Sequence, residues 1–306
     1  NWTPIEKEKG KFDWASMNHE RIRELCKERG IEVLDVCHDA PAWTGSVSGR
    51  EKDNFFPYPD NLTDSVNSWK EIGRHWDGIW SSVEVWNEPE IAFGAYLPGE
   101  FPAALTKTVS YAFKKNGIKT PITSCVFTGA MTDKAMVEIY GENGIFDDCD
   151  YFSYHNYGQT EKLEFQTAAF RERLKQFGKE AMPFIISECG KPWGVGPVRA
   201  PVSEDITSAM EIIGKLVEAK ASGIFMHFAF VYCYYEENQN NFGMMDKYKS
   251  PMRSMGAYVY CVKEIANMDY AGDLKCSDSN IRLARVFSSG DKAVAVIYTG
   301  ENKPVS

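Results

Sequence analysis

Short apolar runs alternate with amphipathic stretches along most of the chain. The first amphipathic stretch, 14–29, carries Met17 and Ile22 on one helical stripe. It ends at Gly30, because glycine readily takes the left-handed backbone conformation that ends many helices. An apolar run of strand type follows it, and the same order of strand and helix then recurs. The pattern predicts six strands, at 31–37, 79–86, 121–127, 150–154, 183–188 and 224–230.

The predicted strands are joined by segments of helix length, which favours a parallel sheet, because parallel pairing needs a long crossover. Their sequences are mostly continuous apolar runs, as is typical of strands buried on both faces. No glycine-rich phosphate loop follows the first strand, and polar residues gather at the carboxyl ends of the strands. These features favour an α/β fold of the (β/α)8 TIM-barrel type over a doubly wound sheet, with about six β/α units in this chain.

Residues 269–306 break the alternation. The runs 281–287 and 292–299 flank the polar turn 288–291, which predicts a β-hairpin. We therefore expect a barrel domain over 1–268 and a C-terminal hairpin over 269–306 that begins a β module. An isolated hairpin is marginally stable in water, so this one should lie against the side of the barrel.

The composition is that of a globular protein. Of the 306 residues, 43% are hydrophobic and 25% are charged, which is enough for one large core. The net charge is −9 and the lysines are scattered, so no basic surface for nucleic acid is predicted. No apolar run reaches the roughly 18 residues that a membrane-spanning helix needs, so no membrane partner is predicted.

The spacing of cysteines and histidines does not indicate a metal site. The eight cysteines include no Cys-x-x-Cys pair, and the five histidines include no His-x-x-x-His pair. A metal-dependent barrel enzyme is therefore disfavoured, and no cofactor is expected. The chain opens at Asn1 without the features of a signal peptide but also without Met, so its start does not indicate a compartment.

Two glutamates stand at the ends of predicted strands. Glu88 follows the run 83–86 and precedes Pro89, and Glu188 ends the run 183–188. Cleavage of a glycosidic bond with retention requires an acid and a nucleophile, typically two carboxyl groups about 5–5.5 Å apart. A glutamate before a proline is otherwise often a solvated loop residue. The pair predicts a glycosidase, because barrel enzymes carry their chemistry at the carboxyl ends of strands.

Four short motifs occur along the chain at or near the ends of predicted strands. Trp86–Pro89 contains Asn-Glu-Pro, Ile186–Glu188 ends a strand in Ser-Glu, His155–Tyr157 has the form His-x-Tyr, and Pro41–Trp43 has the form Pro-x-Trp. With the loop 2–14, these motifs resemble those of the clan A glycoside hydrolases, the group that includes families 5 and 39. In that clan they lie at strands four, seven, six and three, and the loop follows strand two. The resemblance covers most of the chain, up to the predicted hairpin.

The resemblance implies roles for four residues. Glu88 would be the general acid/base and Glu188 the nucleophile of a double displacement. Tyr157 would donate a hydrogen bond that keeps Glu188 ionised. Asn87 would bind the 2-hydroxyl of the sugar, an interaction that strengthens as the transition state forms.

Three further candidates each have a structural alternative. His155 either contacts the substrate, as the motif implies, or is a core histidine paired with a backbone group. Trp43 and Trp193 either pack under loops or stack on sugars, and stacking is favoured because their rings are flat and amphipathic.

Candidates from the remaining strand ends are weaker. His38 and Asp39, just past the predicted strand 31–37, are candidate ligands of sugar hydroxyls. The clan usually carries a Trp near the end of strand eight, whereas this chain has Phe228 or Phe230 there. We select Phe228 as the substrate-binding residue of that strand.

The resemblance also implies that strand one and most of strand two are absent from this chain. An open barrel would expose sheet edges, which soluble proteins cover. We expect the N-terminal segment, the C-terminal hairpin or a second copy of the chain, in a homo-oligomer, to cover the gap.

Three functions follow from these features. The first is a retaining β-glycoside hydrolase that acts on a neutral polysaccharide or its oligosaccharides without metal or cofactor. The second is a carbohydrate-binding remnant that is inactive or weakly active, and the third is an unrelated metal-dependent barrel enzyme. The substrate class of the first favours a secreted or periplasmic protein.

Overall fold

The computed structural model describes residues 2–45, 58–91, 99–124, 126–128 and 134–300. Within these ranges the protein is a mixed α/β fold with parallel sheets. The helices are α1 (His19–Glu28), α2 (Leu62–Trp76), α3 (Glu100–Asn116), α4 (Lys134–Glu142), α5 (Leu163–Lys175), α6 (Val202–Ala221) and α7 (Arg253–Ile265). The strands are β1 (Leu34–Cys37), β2 (Ser82–Val85), β3 (Ile122–Thr123), β4 (Phe152–Asn156), β5 (Phe184–Cys189), β6 (Trp193–Gly194), β7 (Met226–Ala229), β8 (Glu236–Glu237), β9 (Asn240–Asn241), β10 (Asp269–Asp273), β11 (Ile281–Ser289) and β12 (Lys292–Thr299).

The predicted alternation of strands and helices is confirmed. Each of the six predicted strands overlaps an observed one, namely β1, β2, β3, β4, β5 or β7, and a helix follows each. Most of the observed strands are shorter than the apolar runs, because only part of each run takes part in a ladder. Among the described residues, no helix is long and apolar enough to cross a membrane.

The first helix buries a different face from the predicted one. Met17, which precedes α1, and Ile22 are 60% and 55% exposed, so this part of the apolar stripe does not face the core. Arg23 is buried instead, forms an ion pair with Asp35, and places its guanidinium 4.4 Å from the centre of the Trp76 ring. A cation with an acidic and an aromatic partner is stable in this position, whereas periodicity alone predicted an apolar contact.

The chain forms two compact units. The first unit comprises Asn1–Tyr154 and Arg171–Pro183, and the second comprises His155–Phe170 and Phe184–Ser306. Glu88 therefore belongs to the first unit, whereas Glu188 belongs to the second.

Three parallel strands form a sheet in the first unit. The central strand, β2, pairs with β1 on one side and with β3 on the other. All four residues of β2 are buried, including Glu84. In the register of β1 and β2, Cys37 lies opposite Val85, so both strands end at the same edge of the sheet. The residues that follow these two strands therefore emerge side by side.

A parallel pair, β5 and β7, forms the strand core of the second unit. Ile186 pairs with His227, whereas the next pairing joins Cys189 to Ala229. The strand β5 thus has one more residue than β7 in this interval, which makes a β-bulge that contains Glu188. Bulges occur often beside active sites, because they turn a side chain out of the regular pleat.

The predicted C-terminal hairpin is present as β11 and β12, with Gly290 at the turn. A third strand, β10, pairs with β11 and was not predicted from the sequence. Phe287 of β11 packs in a buried cluster with Val217 of α6 and Cys261 of α7. As predicted, the hairpin does not stand alone, because helices cover its apolar face.

Candidate active site

The backbone is strained where β2 leads into Glu88. Trp86 has a φ of +74° and Glu88 a φ of +37°, in the left-handed region that favours glycine. Such conformations cost on the order of 1–3 kcal/mol each and are concentrated at active sites, where the surrounding structure holds them. Asn87, between them, is buried, and its Oδ1 has no hydrogen-bond partner among the described residues. This oxygen is therefore able to accept a hydrogen bond from a ligand.

A second carboxyl group anchors the turn that carries Glu88. Glu90 is buried and accepts a hydrogen bond from the backbone N–H of Thr128, which follows β3. Burial raises the pKa of Glu90, against the lowering effect of the bond from Thr128, and the nearby charge of Glu88 raises this pKa further. The sequence suggested no role for Glu90, which in the structure ties the turn after β2 to the segment after β3.

His38 and Asp39 lie at the edge of the sheet where Glu88 emerges. The backbone N–H of Trp86 donates to the carbonyl of Cys37, which brings the ends of β1 and β2 together. His38 Nδ1 lies 2.7 Å from Asp39 Oδ1, and Asp39 has a φ of +60°. The structure thus joins the two predicted residues into one pair, and sugar binding by this pair stays a prediction.

Trp43 lies half-buried beside a surface cavity of the first unit. Its Nε1–H donates to the carbonyl of Glu6, and Lys9 Nζ lies 6.0 Å from the centre of its ring. The ring lines a cavity of about 440 Å³ together with Phe12 and Asp64. This space is large enough for a sugar ring, so the stacking predicted for Trp43 is compatible with its position.

Glu188 is held by two residues from the end of β4 and just beyond it. The hydroxyl of Tyr157 donates a hydrogen bond to Glu188 Oε2 at 2.8 Å, as predicted. His155 Nδ1 lies 3.4 Å from the same oxygen. The His155 side chain is 1% exposed and the Glu188 side chain is 24% exposed. The carboxylate is thus partly accessible to solvent, whereas the histidine that contacts it is buried. His155 is therefore both buried and in contact with the predicted nucleophile.

An aromatic cluster surrounds Tyr157. Its ring meets Phe242 edge to face at 5.5 Å and Phe230 edge to face at 6.3 Å between centres. The backbone N–H of Phe230 also donates to the carbonyl of Cys189, beside Glu188. Phe230 is thus a strand-end phenylalanine beside Tyr157, and it is a candidate in addition to Phe228 of β7. Substrate binding by Phe228, which is half-buried in β7, stays a prediction.

The loop between β7 and β9 adds two groups that were not predicted from the sequence. Tyr235 is 41% exposed, and its ring lies 5.5 Å from that of Phe230. Desolvation raises the pKa of Tyr235, and the negative charges of Glu237 and Glu188 raise it further. Tyr235 therefore lies within electrostatic range of both Glu188 and Glu237. The richness of this loop in Tyr and Glu was the only signal in the sequence.

Trp193 does not offer its ring to a ligand. It is 2% exposed and packs in a cluster with Ala200, Met252 and Tyr234. Its Nε1–H is satisfied by the carbonyl of Gly243 at 3.1 Å. The sugar-stacking prediction for Trp193 is therefore wrong, because the pairing of β6 with β9 encloses the ring.

The side chains at these strand ends carry carboxyl, phenol, imidazole and amide groups. Such groups are sufficient for nucleophilic attack and proton transfer. Within the described ranges, no group of three or more His, Cys, Asp or Glu side chains is arranged to hold a metal ion.

Comparison with known proteins gives matches in structure alone. No protein-family model matches the chain, and no curated protein matches its sequence. A family 39 glycoside hydrolase from the gut symbiont Bacteroides cellulosilyticus WH2 is similar in structure, with a TM-score of 0.73 and 16% identity. The match covers 98% of this chain and 64% of that one.

Two other similar structures are those of a β-xylosidase and a xylanase. A family 39 β-xylosidase from Caulobacter crescentus has a TM-score of 0.68 and 18% identity over 95% of this chain and 66% of that one. Xylanase 10B from Thermotoga petrophila RKU-1, solved in complex with xylobiose, has a TM-score of 0.60 and 15% identity over 86% of this chain and 83% of that one. The chain spans about two thirds of the length of the family 39 structures. At these identities the likeness establishes the fold: this chain has the TIM-barrel fold of the clan A glycoside hydrolases.

Proposed function

We propose that this protein is a retaining β-glycoside hydrolase that acts on neutral polysaccharides or oligosaccharides. The observation that carries the proposal is the hydrogen bond of 2.8 Å from Tyr157 to Glu188 at the bulge of β5. A carboxylate that accepts a hydrogen bond from a fixed phenol is oriented and favoured in its charged form. Those are the properties that a nucleophile for an anomeric carbon requires.

In the first step, a Glu188 oxygen bonds to the anomeric carbon while the bond from that carbon to the leaving oxygen breaks. Glu88, as the carboxylic acid, gives its proton to the leaving oxygen. The product is a covalent glycosyl-enzyme and a free alcohol. The strained turn at Glu88, anchored through Glu90, supports the assignment of a fixed position to this acid.

In the second step, the Glu88 carboxylate takes a proton from water as the water oxygen bonds to the anomeric carbon. The bond to Glu188 breaks, which restores the carboxylate and releases a sugar of the original configuration. Both steps balance without a metal or redox partner.

Each unit contributes candidate groups for binding the substrate. Asn87 Oδ1 is placed to accept from a sugar hydroxyl, and the exposed ring of Tyr235 offers a flat surface for stacking. Similar structures described as a xylosidase and a xylanase make β-xylosides the first substrates to test.

The test is hydrolysis of a panel of aryl β-glycosides, followed by determination of the anomer first released. The wild type should hydrolyse at least one substrate with retention, and Glu188→Ala should reduce the rate to background. Glu172→Ala is the matched control, because Glu172 lies on α5 with a side chain that is 76% exposed. A wild type no faster than Glu188→Ala across the panel refutes hydrolysis. If the same sugars still bind, the outcome supports a carbohydrate-binding protein instead.

A further inference from the structure

Lys215 is a fully buried lysine behind the segment that carries Glu188. Its exposure is 0%, although lysine is almost never fully buried without a partner. Its Nζ donates a hydrogen bond of 2.6 Å to the carbonyl of Gly190, which follows the last residue of β5. The lysine therefore acts on the backbone immediately beyond the predicted nucleophile.

The groups nearest Lys215 leave Gly190 as its main polar partner. Burial lowers the pKa of Lys215, and Glu211 and Cys189 counter this effect. Cys189 Sγ lies 2.8 Å from His227 Nε2. Burial raises the pKa of Cys189 to about 12, and burial with the charge of Lys215 lowers the pKa of His227 to about 4. The thiol and the imidazole are thus both neutral at neutral pH and do not form an ion pair with the lysine.

Two other side chains of α6 hold the same segment. Ser208 Oγ donates to the carbonyl of Lys191 at 2.8 Å, and Glu204 Oε2 accepts from the backbone N–H of Gly194 at 2.8 Å. Residues 204, 208 and 215 share one face of the helix, because positions four and seven residues apart are neighbours on it. The helix α6 therefore presents a polar row to the backbone of 190–194.

The peptide at Gly190 is closely packed against the aromatic cluster. A Cβ at this position would lie 2.6 Å from the carbonyl oxygen of Phe230 and 3.9 Å from the ring of Tyr157. A displacement of Gly190 would therefore move Phe230, Tyr157 or the end of β5. A shift of Tyr157 or of the end of β5 would change the direction of the Glu188 carboxylate, because Tyr157 donates to it and β5 carries it.

We propose that Lys215 is a positioning residue, whose hydrogen bond to the Gly190 carbonyl fixes the orientation of Glu188 for attack on the anomeric carbon. The proposal rests on the glycosidase function proposed above. Burying an ammonium group is unfavourable because the group loses its hydration, and an apolar residue of similar volume is often more stabilising. The hydrogen bond from Lys215 to the Gly190 carbonyl gives a reason for a lysine at this buried position, because the bond fixes the backbone next to Glu188.

The test is the rate at which a 2-deoxy-2-fluoro-β-glycoside with a good leaving group labels Glu188, followed by intact mass. A good leaving group needs no proton from Glu88, so the rate reports on the nucleophile alone. Lys215→Met should lower the labelling rate constant by about 100-fold, the cost of a misplacement near 1 Å, with little change in the affinity for the reagent. Lys215→Gln retains a donor and should restore part of the rate.

Lys220→Met is the matched control. Lys220 lies on the same helix and also donates to a backbone carbonyl, that of Ala266, but at an exposed site. The reagent should label the Lys220→Met variant at the wild-type rate. Labelling of Lys215→Met at the rate of Lys220→Met would overturn the positioning role, as would a loss explained by weaker reagent binding alone.

Two further outcomes are decisive. If Lys215→Met does not fold, Ser208→Ala takes its place, since it removes the adjacent bond to Lys191 without burying an unpaired charge. Slower labelling of Ser208→Ala supports control of Glu188 by α6, whereas an unchanged rate overturns it. If the wild type is neither labelled nor active, the glycosidase function itself fails, and the role of Lys215 fails with it.

Discussion

Replacing Arg285 by Met should strongly destabilise the second unit. Nε and Nη2 of Arg285 donate to the two carboxylate oxygens of Glu218 at 2.7 Å each, and the side chains are 6% and 1% exposed. Nη1 donates to Asp273 at 2.8 Å. The hydrogen bonding of Arg285 to the Glu218 carboxylate is the main factor that raises the pKa of Arg285, against the opposing effect of burial. This pair joins β11 to α6 within the unit that carries Glu188.

The size of the expected loss in unfolding free energy follows from the burial of the ion pair. Removing one partner of a buried ion pair costs about 3–5 kcal/mol, because the other charge stays buried without compensation. Arg282, on the same strand, pairs with Glu161 at 2.6 Å, but its side chain is 53% exposed. An exposed pair contributes about 0–1 kcal/mol. The free energy of unfolding should therefore fall several times more for Arg285→Met than for Arg282→Met.

The assay is urea unfolding combined with hydrogen exchange of the β11 amides, which reports on the second unit directly. The double variant Glu218→Leu/Arg285→Met should recover part of the loss, because it leaves no unpaired charge between these two positions. If Arg285→Met loses no more stability than Arg282→Met, the buried ion pair of Arg285 and Glu218 does not stabilise the contact between β11 and α6, and the prediction is wrong.

Three other predictions concern the site and its support. Asn87→Ala should lower kcat/KM about tenfold on β-glycosides but hardly change it on 2-deoxy analogues, because one hydrogen bond is lost; an equal fall on both substrates would contradict the contact with the 2-hydroxyl. Trp193→Ala should reduce the free energy of unfolding by about 3–5 kcal/mol without raising KM, and a raised KM at unchanged stability would restore sugar stacking. The folded state lowers the pKa of His227 from 6.5 to about 4, mainly by burial; the unfolded state therefore binds the proton first, and stability present above pH 6.5 should fall as the pH drops toward 4. His227→Gln should flatten this fall in urea unfolding, and an unchanged slope would exclude His227 as its source.

The periodicity of apolar residues and the polar residues at strand ends were sufficient to predict the architecture. Runs such as 183–186 are continuous and apolar because parallel strands are buried on both faces, so their positions can be predicted from local sequence. The bond from Tyr157 to Glu188 was predicted from the resemblance, because motif order defines which strand ends meet.

Features that depend on tertiary packing were not predictable. The left-handed backbone at Trp86 and Glu88 has no local signature, since neither residue favours it. Trp193 is enclosed by a two-residue pairing of β6 with β9 that is too short to have a periodic pattern. Lys215 is fully buried although lysine is usually exposed, and its Nζ donates a hydrogen bond to the carbonyl of Gly190, a contact that the local sequence does not indicate.

The most direct test of the central claim is the configuration of the glycosyl azide formed when azide rescues each glutamate variant. Azide should attack the substrate itself in Glu188→Ala and give the α-glycosyl azide, because it replaces the nucleophile on that face. In Glu88→Ala it should attack the covalent intermediate and give the β-glycosyl azide. The reverse assignment would exchange the roles of the two residues, and the absence of rescue in both variants of an active enzyme would contradict double displacement through Glu188 and Glu88.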